Sequence, residues 1–291
     1  MSVTVSSGCL DFMRDNRQGA AMMGHRKRIA VVGPSNTLPL DVPSRVLALV
    51  AERYGDEGPE IVFHPQCFLA AGHFAGPDRA REDALVEAAN DPKVDAIWFA
   101  RGGYGADRIA ENAISRMGEA ARGKPFLGYS DAGFILAGLL ADGIGRPAHG
   151  PMPADINRVG GAAAVARALD WFMADSPPSS ERTIAFNMIV FSQLLGTALQ
   201  PDLTGRVLML EEVDEPMYAI DRSLFHITAN PQVRLCAGLM LGRCAPITPN
   251  IPDFGMDEVA VVRHWCDVSG IPYLGRADIG HDAENKVVPF G

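Results

Sequence analysis

From residue 28 onward, short apolar runs rich in β-branched and aromatic residues alternate with longer stretches of helical periodicity. This alternation is typical of repeated βαβ units, in which parallel strands form one sheet and helices cover its faces. The predicted strands are residues 28–32, 61–63, 94–99 and 126–129. Open sheets of this class bind ligands at the carboxyl ends of their strands, where Gly, Ser, Pro and Arg collect in this sequence. We therefore expect an α/β fold with its functional site along that edge.

The predicted helices carry apolar residues at the spacing that one buried face requires. The first follows Pro43 and presents Val46, Leu47, Leu49 and Val50, and the second covers residues 78–90. A short helix is predicted to begin near residue 106, and another runs from residue 161 through residue 172. Later in the chain, the pattern predicts strands at 207–210 and 235–241, helices at 221–229 and 256–266, and loops from residue 271.

A change in sequence character after residue 152 divides the chain. The segment 175–181 reads Asp-Ser-Pro-Pro-Ser-Ser-Glu and is rich in turn-forming residues. We place a disordered leader at 1–27, an N-terminal domain at 28–153, a linker region at 154–183 and a smaller C-terminal domain at 184–291. The leader carries Asp11, Arg14, Asp15 and Arg17 where a secretory signal needs an apolar core, and Met23 is an alternative start.

Composition excludes several classes of function. The 26 Lys and Arg residues against 35 Asp and Glu give a formal net charge of −9, which disfavours binding to nucleic acid or to an anionic membrane surface. The five cysteines are scattered, without the paired spacing of a zinc site, so we expect a reducing compartment, no metal and no cofactor. Since no apolar run reaches the roughly 18 residues of a membrane span, we expect a cytoplasmic protein.

Ser130 stands at a tight turn between a predicted strand and an apolar helix. This context is similar to a nucleophile elbow, in which the hydroxyl projects from the turn and a following backbone N–H faces a developing oxyanion. The match is partial, because Gly128-x-Ser130-x-Ala132 has Ala where the motif has Gly. Ser130 and Asp131 are also ordinary helix N-cap residue types, so a purely structural role is the alternative.

The segment Arg101-Gly-Gly-Tyr-Gly follows the strand at 94–99. Its spacing matches neither of the common nucleotide-phosphate loops. Glycines let a backbone approach a ligand closely, and Arg101 and Tyr104 flank these. The segment therefore predicts a substrate contact, with a plain turn as the alternative.

A serine nucleophile needs a base, and the base needs an orienting carboxylate. Among seven histidines, His149 and His281 lie in glycine-flanked loops, whereas the others fall in the leader, in an early loop or on helix faces. Glu211 lies at the end of the strand at 207–210, where a buried charge would need a partner. Strand alternation places Glu212 on the opposite face, where we expect it to be solvated.

Taken together, the motifs resemble one family, the serine-type muramoyltetrapeptide L,D-carboxypeptidases, which includes relatives that confer immunity to peptide-nucleotide antibiotics. The resemblance covers residues 29–291. The motifs that carry it, in order, are Arg101-Gly-Gly-Tyr-Gly, Gly128-Tyr-Ser-Asp, His149-Gly-Pro-Met, Leu194-Leu-Gly-Thr, Leu210-Glu-Glu-Val-Asp-Glu-Pro with Ile220-Asp-Arg, and Gly280-His with Asn285.

The resemblance implies a flavodoxin-like parallel-sheet N-terminal domain, a smaller α/β C-terminal domain and an active site at their join. It implies a triad of Ser130 as nucleophile, His281 as base and Glu211 as the orienting carboxylate. The implied oxyanion donors are the N–H groups of Asp131 and of Gly103 or Gly102, and the implied substrate contacts are Arg101, Tyr104, His149 and Asn187. It also implies a homodimer that releases terminal D-Ala from a murein tetrapeptide in peptidoglycan recycling.

The sequence departs from the family pattern at three places. Gly133 stands where relatives usually have Thr, which predicts different helix packing beside the Ser130 turn. The segment before Asn187 lacks a common Gly-Gly pair, and the sequence ends at Gly291, where relatives generally continue with another strand. Two other functions stay open. One is an immunity-type amidase acting on aminoacyl-nucleotides; such relatives favour an aromatic platform for the adenine, but the sequence shows no obvious tryptophan near the motifs beyond Trp98 in a strand. The other is a catalytically silent ligand-binding module.

Overall fold

The computed structural model describes residues 26–174 and 182–291, which form two mainly parallel sheets. Most of the leader and the turn-rich segment 175–181 lie outside the described residues. The strands are β1 (Arg28–Val32), β2 (Glu60–Phe63), β3 (Ala96–Phe99), β4 (Pro125–Gly128), β5 (Arg146–His149), β6 (Thr183–Asn187), β7 (Val207–Glu212), β8 (Gly238–Cys244), β9 (Tyr273–Arg276) and β10 (Val288–Pro289). The helices are α1 (Val42–Tyr54), α2 (Asp78–Asn90), α3 (Asp107–Ser115), α4 (Gly133–Ala141), α5 (Gly161–Met173), α6 (Met188–Leu194), α7 (Met217–Ala229) and α8 (Glu258–Ser269).

The first sheet has the strand order β2-β1-β3-β4-β5, followed at its edge by β10. Strands β1 to β5 are parallel, and β10 pairs antiparallel with β5. This is the flavodoxin-like order, in which the direction of strand addition across the sheet reverses between β1 and β3. The expected fold class is confirmed. The loops after β1 and β3 therefore meet at the position where such sheets place a ligand.

Helix α1 shows why this sheet is covered as predicted. Pro43 occupies its first turn, and Val42, Val46 and Val50 recur every four residues and are buried. Leu47 was predicted on the same face but is exposed, because it points away from the row that those three valines form. The helix thus covers the sheet with a narrower apolar stripe than the sequence suggested.

Helix α4 joins the two halves of the molecule. Seven of its nine residues are buried, since it contacts α3 and β5 of the first sheet and also α6 of the second part. A Cβ at Gly133 would lie 3.0 Å from Val190 Cγ1 and 3.2 Å from Phe186 Cδ1. Gly133, which stands where relatives usually have Thr, therefore permits close contact between the Ser130 turn and the C-terminal half.

The second sheet is parallel, with the order β6-β7-β8-β9. Helices α7 and α8 pack against each other, and β7, near the middle of this sheet, carries Glu211. The chain then returns to the first sheet, where Phe290 N–H donates to Pro147 O at 2.9 Å and Gly291 N–H donates to Thr183 O at 3.2 Å. The last described strand, β10, thereby links the two sheets.

Helix α5 lies in the region predicted as a linker. It packs against α1, and Phe172 contacts the buried Trp98 ring with a centroid separation of 5.6 Å. The region 154–174 thus contributes to the core over the first sheet, and the domain boundary remains a prediction from the sequence. Within the described residues, no helix combines the length and the apolar character needed to cross a membrane.

Candidate active site

Ser130 begins a tight turn directly after β4. Its φ of 59° is left-handed, which a residue with a Cβ rarely adopts. The Arg101–Gly105 loop packs on the serine, because a Cβ at Gly102 would lie 2.7 Å from Ser130 Oγ and 2.9 Å from Ser130 Cβ. Only a glycine lets the backbone come this near, so the predicted glycine loop covers the predicted nucleophile.

The rest of the Arg101–Gly105 loop contacts the loop that follows β1. Gly103 has φ 129°, and a Cβ there would overlap the side chain of Asn36, whose Oδ1 accepts the Tyr104 N–H at 3.4 Å. Arg101 Nη1 donates to Thr37 O at 3.1 Å. The loops after β1 and β3 thus fix each other at the edge of the sheet.

The ring of Tyr104 is about half exposed and forms a surface cluster with His73 and Phe74, which we call the rim cluster. Its centroid lies 6.1 Å from that of His73 and 5.9 Å from that of Phe74. Because Tyr104 directly follows Gly103, this aromatic surface adjoins the loop over Ser130.

The carboxylate of Asp131 holds the turn together. It is buried, accepts the Ser35 hydroxyl at 2.5 Å and the Ala106 N–H at 2.9 Å, and so connects the loops after β1, β3 and β4. Burial raises the pKa of this carboxyl, although both hydrogen bonds oppose the effect. The side chain therefore orients the turn, which leaves the backbone N–H of Asp131 as the group predicted to face an oxyanion.

Glu211 and His281 meet as the sequence suggested. Glu211 at the end of β7 is fully buried, and its Oε2 lies 2.5 Å from His281 Nδ1. A Cβ at Gly242 would lie 2.8 Å from Glu211 Cβ, so the neighbouring strand has a glycine where the carboxylate needs room. Burial by itself would lower the pKa of His281, but the Glu211 carboxylate outweighs burial and raises it.

The imidazole of His281 is also held from the first domain. The Tyr129 ring lies against it with a centroid separation of 4.8 Å, and the Tyr129 hydroxyl donates to Asp155 Oδ1 at 2.8 Å. Arg158 donates from Nε to the same carboxylate oxygen at 2.9 Å and from Nη1 to His281 O at 2.6 Å. These contacts fix both the ring and the backbone of His281 relative to the Ser130 turn.

Ser130 and His281 line one cavity of about 480 Å³. Its wall includes residues of both halves: Pro39, Arg101, Gly102, Gly103, Tyr129, Met152, Ala154, Asp155, Asn157, Arg158, Val213 and Asp214. A hydroxyl on a strained turn, an imidazole at the same cavity and a buried carboxylate behind that imidazole are the groups that nucleophilic catalysis uses. Two arginines, Arg101 and Arg158, supply positive charge.

Two predicted substrate contacts lie behind the cavity wall. His149 is fully buried, its Nε2 lies 3.0 Å from Asn285 Oδ1, and burial lowers its pKa. Asn187 is buried as well, donates from Nδ2 to Glu212 Oε1 at 2.7 Å and caps α6 by accepting the Val190 N–H at 3.1 Å. Their positions do not support direct contact with a substrate, because both side chains are buried and neither lines the cavity.

The prediction that Glu212 is solvated is wrong. Its side chain is 3% exposed and accepts the N–H groups of Asn187 Nδ2, Ile189 and Val213 at 2.7 to 2.9 Å. Burial raises the pKa of Glu212 to about 7. Strand alternation does place the Glu212 side chain on the face of β7 opposite to Glu211. Helix α6 covers this face, and the sequence of one strand does not show which other elements pack against it.

Sequence reasoning missed the residues that hold the His281 loop. Arg158 and Asp155 come from the segment after β5, and Arg167 on α5 donates to Ala283 O and to Asn285 O. Isolated arginines in a presumed linker give no motif. Both arginines precede the loop by more than 110 residues in sequence and contact it only in the folded protein, so no local pattern identifies them.

The part of the chain that the structure describes contains no group of three His, Cys, Asp or Glu side chains placed to hold a metal ion. Four of the five cysteines, Cys67, Cys236, Cys244 and Cys266, are buried free thiols, and Cys9 lies outside the described residues.

Comparison with known proteins agrees with this architecture over nearly the whole chain. The sequence-family model of the LD-carboxypeptidase N-terminal domain matches residues 29–150. The sequence-family model of the LD-carboxypeptidase C-terminal domain matches residues 182–291. The murein tetrapeptide carboxypeptidase of Pseudomonas aeruginosa is 25% identical over 91% of this chain and 91% of its own length.

Two solved structures share the fold. The muramoyltetrapeptide carboxypeptidase from Oxalobacter formigenes superposes with a TM-score of 0.78 at 23% identity, covering 91% of this chain and 93% of the other. The microcin C7 self immunity protein, solved with aspartyl sulfamoyl adenosine, gives a TM-score of 0.75 at 15% identity, covering 91% of each chain. Both therefore have the two-sheet arrangement described above.

Proposed function

Since the chain belongs to the LD-carboxypeptidase family, we propose that it is a serine carboxypeptidase whose catalytic groups are Ser130, His281 and Glu211. Its proposed reaction is hydrolysis of the amide bond between the L-centre of a diamino acid and the terminal D-Ala of a murein tetrapeptide. This reaction would serve peptidoglycan recycling. The observation that carries the proposal is the 2.5 Å contact between Glu211 and His281 behind the cavity that Ser130 also lines.

In the first half-reaction, the neutral His281 takes the proton from the Ser130 hydroxyl as its oxygen attacks the carbonyl carbon. Glu211 holds Nδ1 and stabilises the imidazolium that forms. The raised pKa of His281 suits this role, because a more basic imidazole accepts the proton more readily. His281 then donates the proton to the leaving amine, the C–N bond breaks, and D-Ala departs.

The negative charge that develops on the carbonyl oxygen needs N–H donors. We assign these to the backbone of Asp131 and to Gly103 or Gly102. The close approach of Gly102 to Ser130 Oγ supports this assignment, because it puts loop backbone beside the attacked carbon. Water, activated by His281, then attacks the acyl-enzyme, releases the shortened peptide and restores the Ser130 hydroxyl.

The test of the proposal compares two serine variants. Purified protein is incubated with murein tetrapeptide, and free D-Ala is measured. Ser130→Ala removes the attacking oxygen, so we expect release to fall by at least about 10⁴-fold while the thermal midpoint stays nearly unchanged. Undiminished D-Ala release by Ser130→Ala would overturn the assignment.

Ser192→Ala is the matched control. Ser192 Oγ lies 2.8 Å from His226 Nδ1, and this pair lies between α6 and α7 outside the cavity. We expect Ser192→Ala to release D-Ala at close to the wild-type rate. The comparison thus separates a serine in the proposed triad from another serine that merely has a histidine partner.

An amidase acting on an aminoacyl-nucleotide is the second candidate function. The observation that favours it is the rim cluster, in which the exposed rings of His73 and Tyr104 beside the glycine loop offer a stacking surface for a base. Trp98 cannot serve in this way, because it is fully buried and donates to Pro151 O. Hydrolysis of an aminoacyl sulfamoyl nucleoside faster than of murein tetrapeptide would favour this function.

Labelling with a serine-directed phosphonate distinguishes the proposed enzyme from a catalytically silent ligand-binding module. In the silent module, the phosphonate would leave Ser130 unlabelled even though the protein binds a peptide. We expect labelling of Ser130, since its turn resembles a nucleophile elbow. We also propose a cytoplasmic homodimer, as the family resemblance implies, and light scattering of the purified protein tests whether it is a dimer.

A further inference from the structure

A carboxypeptidase must recognise the free carboxylate of the terminal residue, and the chemistry fixes where that carboxylate lies. In an amino acid, the nitrogen and the carboxylate carbon are both bonded to one Cα and are about 2.5 Å apart. The proposed function makes His281 the group that protonates this nitrogen. The cation that binds the carboxylate must therefore lie beside His281 rather than elsewhere along the cavity.

Arg158 fulfils this condition. It lines the cavity with His281, and its Nη1 donates to the His281 carbonyl at 2.6 Å. Its positive charge also acts on the imidazole, where it opposes the increase in the pKa of His281 that Glu211 causes. The Arg158 side chain is 45% exposed, so solvent and substrate can reach it.

The guanidinium of Arg158 is held in place before any substrate binds. Its Nε donates to Asp155 Oδ1 at 2.9 Å, and the buried Asp155 carboxylate also accepts the Tyr129 hydroxyl at 2.8 Å and the Met152 N–H at 2.8 Å. A guanidinium has five N–H donors, and these contacts with Asp155 and His281 engage only the Nε and Nη1 atoms. The remaining donors are available in a fixed fork, the geometry that suits a carboxylate.

Arg101, which the sequence predicts as a substrate contact, is held beside the Ser130 turn. It precedes Gly102, whose backbone packs against the Ser130 hydroxyl, and its Nη1 is bonded to Thr37 O in the loop after β1. That side belongs to the attacking oxygen and the oxyanion. The leaving amine and its carboxylate belong to the side of His281.

We infer that Arg158 binds the α-carboxylate of the terminal residue and is the specificity determinant that restricts the site to carboxypeptidase activity. This inference rests on the proposed function and names the group that selects its substrate. Arg158 also positions His281 through the backbone contact, so its removal affects the rate in two ways. The experiment must therefore separate recognition of the carboxylate from positioning of the base.

The experiment compares kcat/KM for murein tetrapeptide with kcat/KM for the same peptide ending in D-Ala amide. The amide keeps the scissile bond and removes only the terminal charge. We expect the wild type to prefer the free carboxylate by about 10- to 100-fold, as for a charge-assisted contact. Arg158→Gln should bring this ratio close to one, and Arg158→Lys should retain part of it because the charge remains.

Two further arginines serve as controls. Arg167 holds the His281 loop through Asn285 O but does not line the cavity, so Arg167→Gln should slow both substrates equally and leave the ratio unchanged. Arg101→Gln should also leave the ratio unchanged. A ratio that survives in Arg158→Gln, or one that collapses in Arg101→Gln, overturns the inference. If the wild type releases nothing from either peptide, the proposed function falls, and the inference falls with it.

Discussion

Ser130 has a strained backbone conformation, and the Arg101–Gly105 loop packs closely on its side chain. Among the described non-glycine residues, only Ser130 and Asp214 have positive φ, and both line the cavity. Left-handed conformations cost about 1 kcal/mol or more for residues with a Cβ, and such strain concentrates at functional sites. The strain at Ser130 directs its hydroxyl out of the turn, towards the space that the Arg101–Gly105 loop encloses.

Gly102→Ala tests how closely that loop must approach. The added methyl group would lie 2.7 Å from Ser130 Oγ, so either the loop or the serine must move. We expect kcat/KM for D-Ala release to fall by about 100-fold, because a displacement near 1 Å in a catalytic site has an effect of this size. Steady-state kinetics and thermal unfolding of the same preparation measure the two effects separately.

Gly123→Ala is the matched control, since a Cβ there meets no atom within 4 Å. It should leave both the activity and the unfolding midpoint close to those of the wild type. Wild-type activity in Gly102→Ala would show that the loop has more freedom than the contact distance implies, and would remove the loop from the proposed oxyanion site.

The proposed catalytic groups could be named from the sequence because they lie at strand ends and in ordered motifs. Glu211 and His281 were predicted together, and the structure brings their side chains into contact. Arg158 was not predicted, because a side chain that acts through a backbone carbonyl 123 residues away leaves no local pattern. His149 and Asn187 were assigned to the substrate because a motif does not tell whether a polar residue faces the cavity or the packing behind it.

The end of β7 places two consecutive carboxylates on opposite faces of one strand. Glu211 faces His281, and Glu212 is buried under α6. Burial raises the pKa of Glu212 to about 7, against an ordinary value of 4.5. Between these pH values the folded protein keeps a proton that the unfolded chain has lost, so stability decreases as the pH rises through this window.

Glu212→Gln should therefore flatten the pH dependence of stability. From pH 4.5 to 7, the free energy of unfolding of the variant is expected to gain about 3 kcal/mol relative to that of the wild type. This size follows from the rise in the pKa of Glu212 from 4.5 to about 7. Urea unfolding at half-unit steps of pH measures this shift. The exposed Glu111→Gln on α3 is the control and should leave the slope unchanged. Parallel curves for wild type and Glu212→Gln would contradict the prediction.

The sequence missed four strands, β5, β6, β9 and β10, and physical reasons are evident for three of them. The predicted limits of β1 match the structure, because its apolar run is continuous and buried. In contrast, β5 and β10 contain Pro147 and Pro289, which cannot donate to a neighbouring strand and argue against strand structure in a sequence. The short β9 alternates between half-buried and exposed residues, so it lacks the apolar signal of a core strand.

The two sheets are held together by a segment that crosses between them. The His281 loop leaves the second sheet after β9, contacts Arg158 and Arg167 of the N-terminal half, and continues into β10 beside β5. The general arrangement, an active site at the join of two α/β parts, was predicted from the family resemblance. The role of α5 in holding this loop was not, because helical periodicity shows which face is buried but not what lies against it.

Arg167→Ala tests whether this crossing matters for catalysis. Arg167 donates to Ala283 O and Asn285 O, and its loss would free the loop that carries His281. We expect kcat to fall by about tenfold with KM changed less than twofold, and stability to fall by about 1 to 2 kcal/mol from the lost hydrogen bonds. Initial rates over a range of tetrapeptide concentrations separate kcat from KM. A change confined to KM would assign Arg167 to substrate binding instead.

The crossing segment also has a consequence for how the protein is made. Ser130 is synthesised long before residue 281, and the first sheet gains its edge strand β10 later still. A ribosome that has translated only the N-terminal half therefore carries the proposed nucleophile without the proposed base. With the proposed triad, hydrolytic activity begins only after residues 211 and 281 have both been translated.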